Sequence, residues 1–272
     1  MLKFLKAIPR KRLLRFFLWF FVVSVFLASV GFTDFRRAEM TCNALQVTIH
    51  NNDGDEFIEA GDVQTIIHDK FGAVEGKQLS GINTALLEKI ILNDPFVAKA
   101  EVFSTVDGKL NIDVIQRKPV LRVINYTNES YYIDDEGVFM PLSEKYTARV
   151  PVVNGYLFDR MTEKMVPASP DSATTTSLTV SKLKQVFDIA TFLQAHDFWG
   201  AQVQQIYVNT SGDIELIPRV GVHTIILGDA GHLEEKFDKL FLFYSTAINK
   251  GDWNRYSAIN LKFDNQIVCT KR

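Results

Sequence analysis

Hydrophobic and polar residues alternate differently along four stretches of this chain. From Phe16 to Phe32 (FFLWFFVVSVFLASVGF) seventeen residues pass without a charge. At 1.5 Å per residue that run spans about 26 Å as a helix, close to the thickness of a hydrocarbon core once Leu13 and Leu14 are added. Leu45, Val47 and Ile49 then alternate with polar positions, which predicts a strand. Val63, Ile66, Ile67 and Phe71 fall at helical spacing, as do Leu86, Leu87, Ile90 and Ile91 behind the capping residue Asn83. Asp94-Pro95 closes the second helix. A strand over 96–106, the turn Asp107-Gly108 and a return strand through Leu110, Ile112 and Val114 complete a strand–helix–helix–strand–strand unit.

Beyond Pro119 short strands are expected at 120–125, 131–134, 151–153, 205–207, 214–217 and 222–227. A polar stretch at 161–179 reads as an exposed loop. Leu183, Val186, Phe187, Ala190 and Leu193 mark one helix, closed at Trp199-Gly200. Leu233, Phe237, Leu240, Phe241, Tyr244 and Ile248 mark another. The last strand is expected to turn Ile259, Leu261 and Phe263 inward and Asn260 and Lys262 outward. The fold class is therefore α+β, with two folded units behind an N-terminal membrane helix.

Charge changes the picture mainly at the N-terminus. Lys3, Lys6, Arg10, Lys11, Arg12 and Arg15 precede every acidic residue, so the positive-inside rule places that end in the cytoplasm. The apolar run exceeds the usual core of a cleaved signal, which favours a retained anchor. Phe16, Trp19, Phe20, Phe26 and Phe32 are among its membrane-spanning residues. A net charge of -2 and the absence of basic motifs argue against nucleic acid.

Candidate chemistry is sparse. Asn51, Asp53, Asp55 and Asp62 approach a calcium-loop spacing, but Glu56 stands where such a loop needs glycine. Ser181 and Lys184 imitate one serine-enzyme motif without its companions. Asp134-Asp135-Glu136 reads as a turn with solvated charges. The five histidines lack metal spacing and read as surface or strand residues, and Cys42 and Cys269 read as independent thiols. No catalytic residue, metal or cofactor is expected.

Certain stretches carry a resemblance. They are VTIHNN at 47–52, FIEAGDVQTII at 57–67, LNDPFVAKAEVF at 92–103, LNIDVIQRKPVLRVI at 110–124 and YYIDDEGVFMPLS at 131–143. Their order resembles a POTRA module behind a single membrane helix, the layout of the FtsQ/DivIB family of bacterial division proteins. The closing AINLKFDNQIVCTKR is similar to that family's C-terminal β-domain. The resemblance implies a basic tail at 1–15, a span at 16–33, a linker at 34–43, a POTRA-like domain at 44–119 and a β-domain at 120–272. It also implies a non-enzymatic divisome scaffold in the inner membrane, enriched at the septum, with its bulk in the periplasm. FtsB-like and FtsL-like bitopic proteins are the implied partners. They would be bound by strand addition at Lys262, Phe263, Gln266, Ile267, Val268 and Cys269, so that Val268→Pro should abolish capture. Further divisome components would dock on the POTRA-like domain. The alternative is a POTRA-bearing chaperone or secretion component of envelope assembly.

Overall fold

The computed structural model describes residues 18–26, 40–51, 54, 56–161, 182–248 and 253–272. A helix, α1, covers 18–26, and its side chains are exposed on every face, Trp19, Phe20 and Phe26 included. Among the described residues no helix is long and apolar enough to cross a membrane. Phe16 and Phe32, the ends of the expected span, lie outside the described residues, as do Asp53, Asp55, Ser181 and nearly all of the polar stretch at 161–179.

The folded part divides into two units. One runs to His50 and resumes over Ile58–Ile115. The other takes Asn51–Phe57 and Gln116–Arg272. In the first, the expected order is realised as β1 (Ala44–His50), α2 (Ala60–Phe71), α3 (Thr84–Ile91), β2 (Val97–Ser104) and β3 (Lys109–Gln116). The strands form a sheet of order β1-β3-β2, with β1 parallel to β3. Parallel pairing follows from the connections: the two helices return the chain to the end of the sheet where β1 stops, so β2 runs back against β1, and the tight turn at Asp107-Gly108 reverses the chain once more into β3. Asn83 caps α3 by accepting from the Leu86 N–H at 3.0 Å. α2 stops at Gly72, whose φ of 88° is open to glycine at little cost. Val63 and Ile67 of α2, Leu87 and Ile91 of α3, and Leu110, Ile112 and Val114 of β3 make the core.

The second unit is a nine-stranded mixed sheet of order β12-β11-β10-β9-β8-β7-β4-β5-β6. Its strands are β4 (Pro119–Ile124), β5 (Ser130–Asp134), β6 (Phe139–Met140), β7 (Val152–Gly155), β8 (Val203–Val208), β9 (Ile214–Pro218), β10 (Thr224–Gly228), β11 (Tyr256–Asn260) and β12 (Val268–Lys271). Three helices, α4 (Lys182–Ala195), α5 (Asp197–Gln202) and α6 (Leu233–Phe243), bury Val186, Ile189, Leu193, Trp199, Phe237 and Leu240 against Ile206, Leu216, Ile225 and Ile259. The chain breaks at His196, so Trp199 and Gly200 sit inside α5 rather than at the end of α4. That break turns Trp199 inward against Phe237 and Tyr244.

Other expectations fail here. The closing segment is two strands, because the chain leaves β11 after Asn260 and returns antiparallel as β12. Ile259 and Leu261 are fully buried as expected, but Phe263 lies in the turn and is 44% exposed. Asp134 is not a solvated turn carboxylate. Its side chain is 1% exposed and takes the Arg117 guanidinium at 2.6 Å and the backbone N–H groups of Glu136 and Val138 at 3.1 and 2.7 Å. His223 is not at the surface either, being 2% exposed.

Candidate functional site

The last strand of the large sheet is one of its two margins. At the opposite margin β6 is only two residues long, and both are buried. Among the described residues β12 pairs with β11 alone, in the register Asn260↔Val268, Ile259↔Cys269, Ala258↔Thr270 and Tyr256↔Lys271. Two hydrogen bonds fix which groups face outward. Leu261 N–H donates to Ile226 of β10 at 2.9 Å, so the residues beside it in β11, Asn260 and Ala258 by alternation, turn toward β12. Arg272 N–H donates to the Arg255 carbonyl at 3.2 Å, which sets the same phase from the other end. Val268 and Thr270 therefore bond to β11, while the N–H and C=O groups of Cys269 and Lys271 point away from the sheet. Such outward groups are a template for another strand.

Side chains follow the opposite alternation between faces. Ile267 and Cys269 turn to the helix-covered side and pack half-buried against the core. Val268 stands on the other face, 43% exposed. Burial raises the Cys269 thiol above its ordinary value, which leaves no reactive thiolate near neutral pH. Both cysteines are free, with Cys42 buried in the first unit.

The turn from β11 to β12 is held at several points. Asn260 Oδ1 accepts from the Lys262 N–H at 2.9 Å. The Lys262 stem lies over Gly228, where a Cβ would sit 2.8 Å from its Cγ, and its ammonium reaches Asp213 at 2.8 Å. Lys239 of α6 donates to the Phe263 carbonyl at 3.0 Å. Asn265 supplies the left-handed residue, with φ at 57°. An exposed ion pair such as Lys262–Asp213 is worth ~0–1 kcal/mol, so its effect is to orient the turn.

The six expected contact residues thus separate. Phe263, Gln266 and Val268 present side chains to solvent. Lys262 is exposed but occupied by Asp213. Ile267 and Cys269 point into the domain, and only the backbone of Cys269 is offered. Val268 N–H belongs to the internal ladder, so proline there would break β11 from β12 instead of blocking the outer edge. Sequence reasoning passed over Lys271, whose outward backbone is visible only once the phase of the strand is known. It also passed over Asp213 and Lys239, whose contacts span 49 and 24 residues.

A second polar feature lies deeper. His223 Nε2 is 2.8 Å from the Tyr244 hydroxyl, at the start of a π-helical turn over Tyr244–Ile248. Trp253 stacks beside it. Burial pushes the imidazole down from its ordinary value, with the Trp253 backbone opposing, and among the described residues Nδ1 has no hydrogen-bond partner of ordinary geometry. Burial also drives the Tyr244 phenol far above its usual range. A neutral imidazole and a neutral phenol hold this corner together. Among the described residues no group of three or more His, Cys, Asp or Glu side chains could hold a metal ion.

Residues 40–115 match the POTRA-like domain family. Residues 118–270 match the family described as FtsQ/DivIB, C-terminal related. No curated protein gives a match. The second family match takes in the large sheet as far as Thr270 of β12, more than half of the 272 residues, and the chain belongs to the FtsQ/DivIB family.

Proposed function

We propose that this chain is a non-catalytic scaffold of the cell-division machinery that captures partner proteins by strand addition to β12. The observation that carries the reading is the outward phase of Cys269 and Lys271, on a margin next to the exposed side chains of Val268 and Phe263. An extended segment laid there gains backbone hydrogen bonds for affinity and reads alternate side chains for selectivity. The partners are short bitopic proteins of the FtsB and FtsL type. Other divisome components dock on the POTRA-like unit.

The uncharged run over 16–32 supports an anchor in the inner membrane, with the basic tail inside and the two folded units in the periplasm at the septum. Two anchored proteins meet at a raised effective concentration, which lets a short strand contact suffice.

Lys271→Pro tests the reading. Proline is tolerated at a strand margin and removes one outward donor without touching the bonds to β11. The tagged full-length variant should fold normally yet retrieve less than a tenth of the wild-type amount of the FtsB-type protein from detergent-solubilised membranes. Undiminished retrieval by a folded Lys271→Pro variant refutes strand addition at β12.

A further inference from the structure

β1 forms one side of the three-stranded sheet, and over 44–50 it lacks the devices that guard the opposite side, the segment 76–79 bonding only to 40–42 ahead of the strand. Exposed strand edges are normally protected by lysine, proline, a bulge or shortness. β2, the opposite side of the same sheet, carries the paired charges Lys99 and Glu101 on its exposed positions. β1 has seven residues and runs beside β3 without a register shift. None of the seven is acidic, basic like Lys or Arg, or proline.

Its apolar row is also incomplete. Leu110, Ile112 and Val114 of β3 are fully buried, but their partners Leu45, Val47 and Ile49 in β1 are only half-buried. Gln46, Thr48 and His50 are exposed on the other face. Among the described residues β1 pairs with no strand but β3.

What fits this edge is written in its own sequence. The pattern is symmetric about Val47: polar neutral residues one position away on each side, Gln46 and Thr48, and large aliphatic ones two away, Leu45 and Ile49. A second β1 running antiparallel about a two-fold axis at Val47 sets Leu45 of each copy opposite Ile49 of the other. Val47 faces its own counterpart, and Gln46 faces Thr48. Such an isologous contact satisfies every position twice. No like charges oppose each other, and aliphatic pairs across antiparallel strands are favourable. With the axis perpendicular to the sheet, both helical layers fall on one face, so the two half-covered apolar rows complete each other.

We propose that β1 is a self-association edge, through which two copies of the chain join antiparallel about Val47 into one six-stranded sheet. The contact of two seven-residue strands is small beside a standard interface of ~1,600 Å², so the dimer is weak and its population rises with concentration.

Energy transfer between donor-labelled and acceptor-labelled full-length copies in detergent tests it. Gln46 and Thr48 are exposed, so changing them spares the core. Gln46→Lys with Thr48→Lys places four lysines side by side across the axis and should abolish transfer. Gln46→Glu with Thr48→Glu should do the same alone, and mixing the lysine and glutamate copies should restore it. The proposal is overturned by absence of transfer in wild type at any concentration reached. It is equally overturned if the lysine variant transfers undiminished, or if mixing fails to restore transfer between folded variants. Protection of β1 amides that arises only on adding a division partner, in a monomeric chain, assigns the edge to that partner and also overturns it.

Discussion

Replacing Asp134 with alanine removes an acceptor that serves three donors. The carboxylate is 1% exposed and holds Arg117 Nη1 at 2.6 Å together with the Glu136 and Val138 N–H groups. Taking away one member of a buried pair costs ~3–5 kcal/mol, since the other charge is stranded. Arg117 is 16% exposed and Glu136 lies 3.7 Å away, so the stranded guanidinium can still reach a carboxylate and some water. That puts the ion-pair loss at the lower end, about 3 kcal/mol. The two turn N–H groups add roughly 1 kcal/mol, because the turn reaches solvent. Asp134→Ala should therefore destabilise the second unit by about 4 kcal/mol, and Asp134→Asn, which keeps an acceptor oxygen, by about 2 kcal/mol. Arg117→Met combined with Asp134→Leu should cost less than the two single changes together. Urea unfolding followed by tryptophan fluorescence reads this unit, because Trp199 and Trp253 both belong to it. A loss below ~1 kcal/mol for Asp134→Ala, or strict additivity in the double variant, would refute the reasoning.

Other outcomes follow from the same geometry. Gly155 has φ of 103°, and a Cβ there would collide with the Val208 carbonyl, so Gly155→Ala should cost at least ~2 kcal/mol by prising β7 from β8, measured by the same unfolding curve. Trp199→Ala opens the aromatic cluster with Phe237 and Tyr244 and should cost ~3–5 kcal/mol, read by thermal melts. His223 titrates below its ordinary 6.5 when folded, so the unfolded chain takes up the proton first. Its contribution is complete above pH 6.5 and is lost as pH falls from there toward the lower folded value. The fall in melting temperature between pH 7 and pH 5 should be smaller in His223→Gln than in wild type, and an equal fall would count against a buried neutral imidazole.

Local rules carried much of this fold. The cap at Asn83, the stop before Asp94-Pro95 and the alternation of β3 are all readable because each depends on neighbours a few residues away. Two of the motifs behind the family resemblance have one physical cause. Arg117 of Arg-Lys-Pro-Val and Asp134 of Ile-Asp-Asp-Glu-Gly are the two ends of a single buried ion pair. They stand seventeen positions apart, so the sequence shows two signatures and hides the bond, and Asp134 reads there as a solvated charge. The same limit applies to His223, which precedes β10 and whose partner Tyr244 arrives from the turn that follows α6. At β12 the residues were legible and the phase was not. Alternation predicts two faces but not which backbone groups meet β11, and the Asn260–Val268 register decides that. Phe263 failed for a related reason, since strand periodicity was carried past the point where the Lys239 and Lys262 contacts bend the chain.

Residue-resolved amide exchange of the full-length protein, alone and saturated with the extracytoplasmic segment of an FtsB-type partner, tests the capture mechanism most directly. The account predicts that Cys269 and Lys271 exchange freely alone and slow at least tenfold when the partner is bound, while Val268 and Thr270, already bonded to β11, change little. Slowing of all four amides alike, or of none, would contradict it.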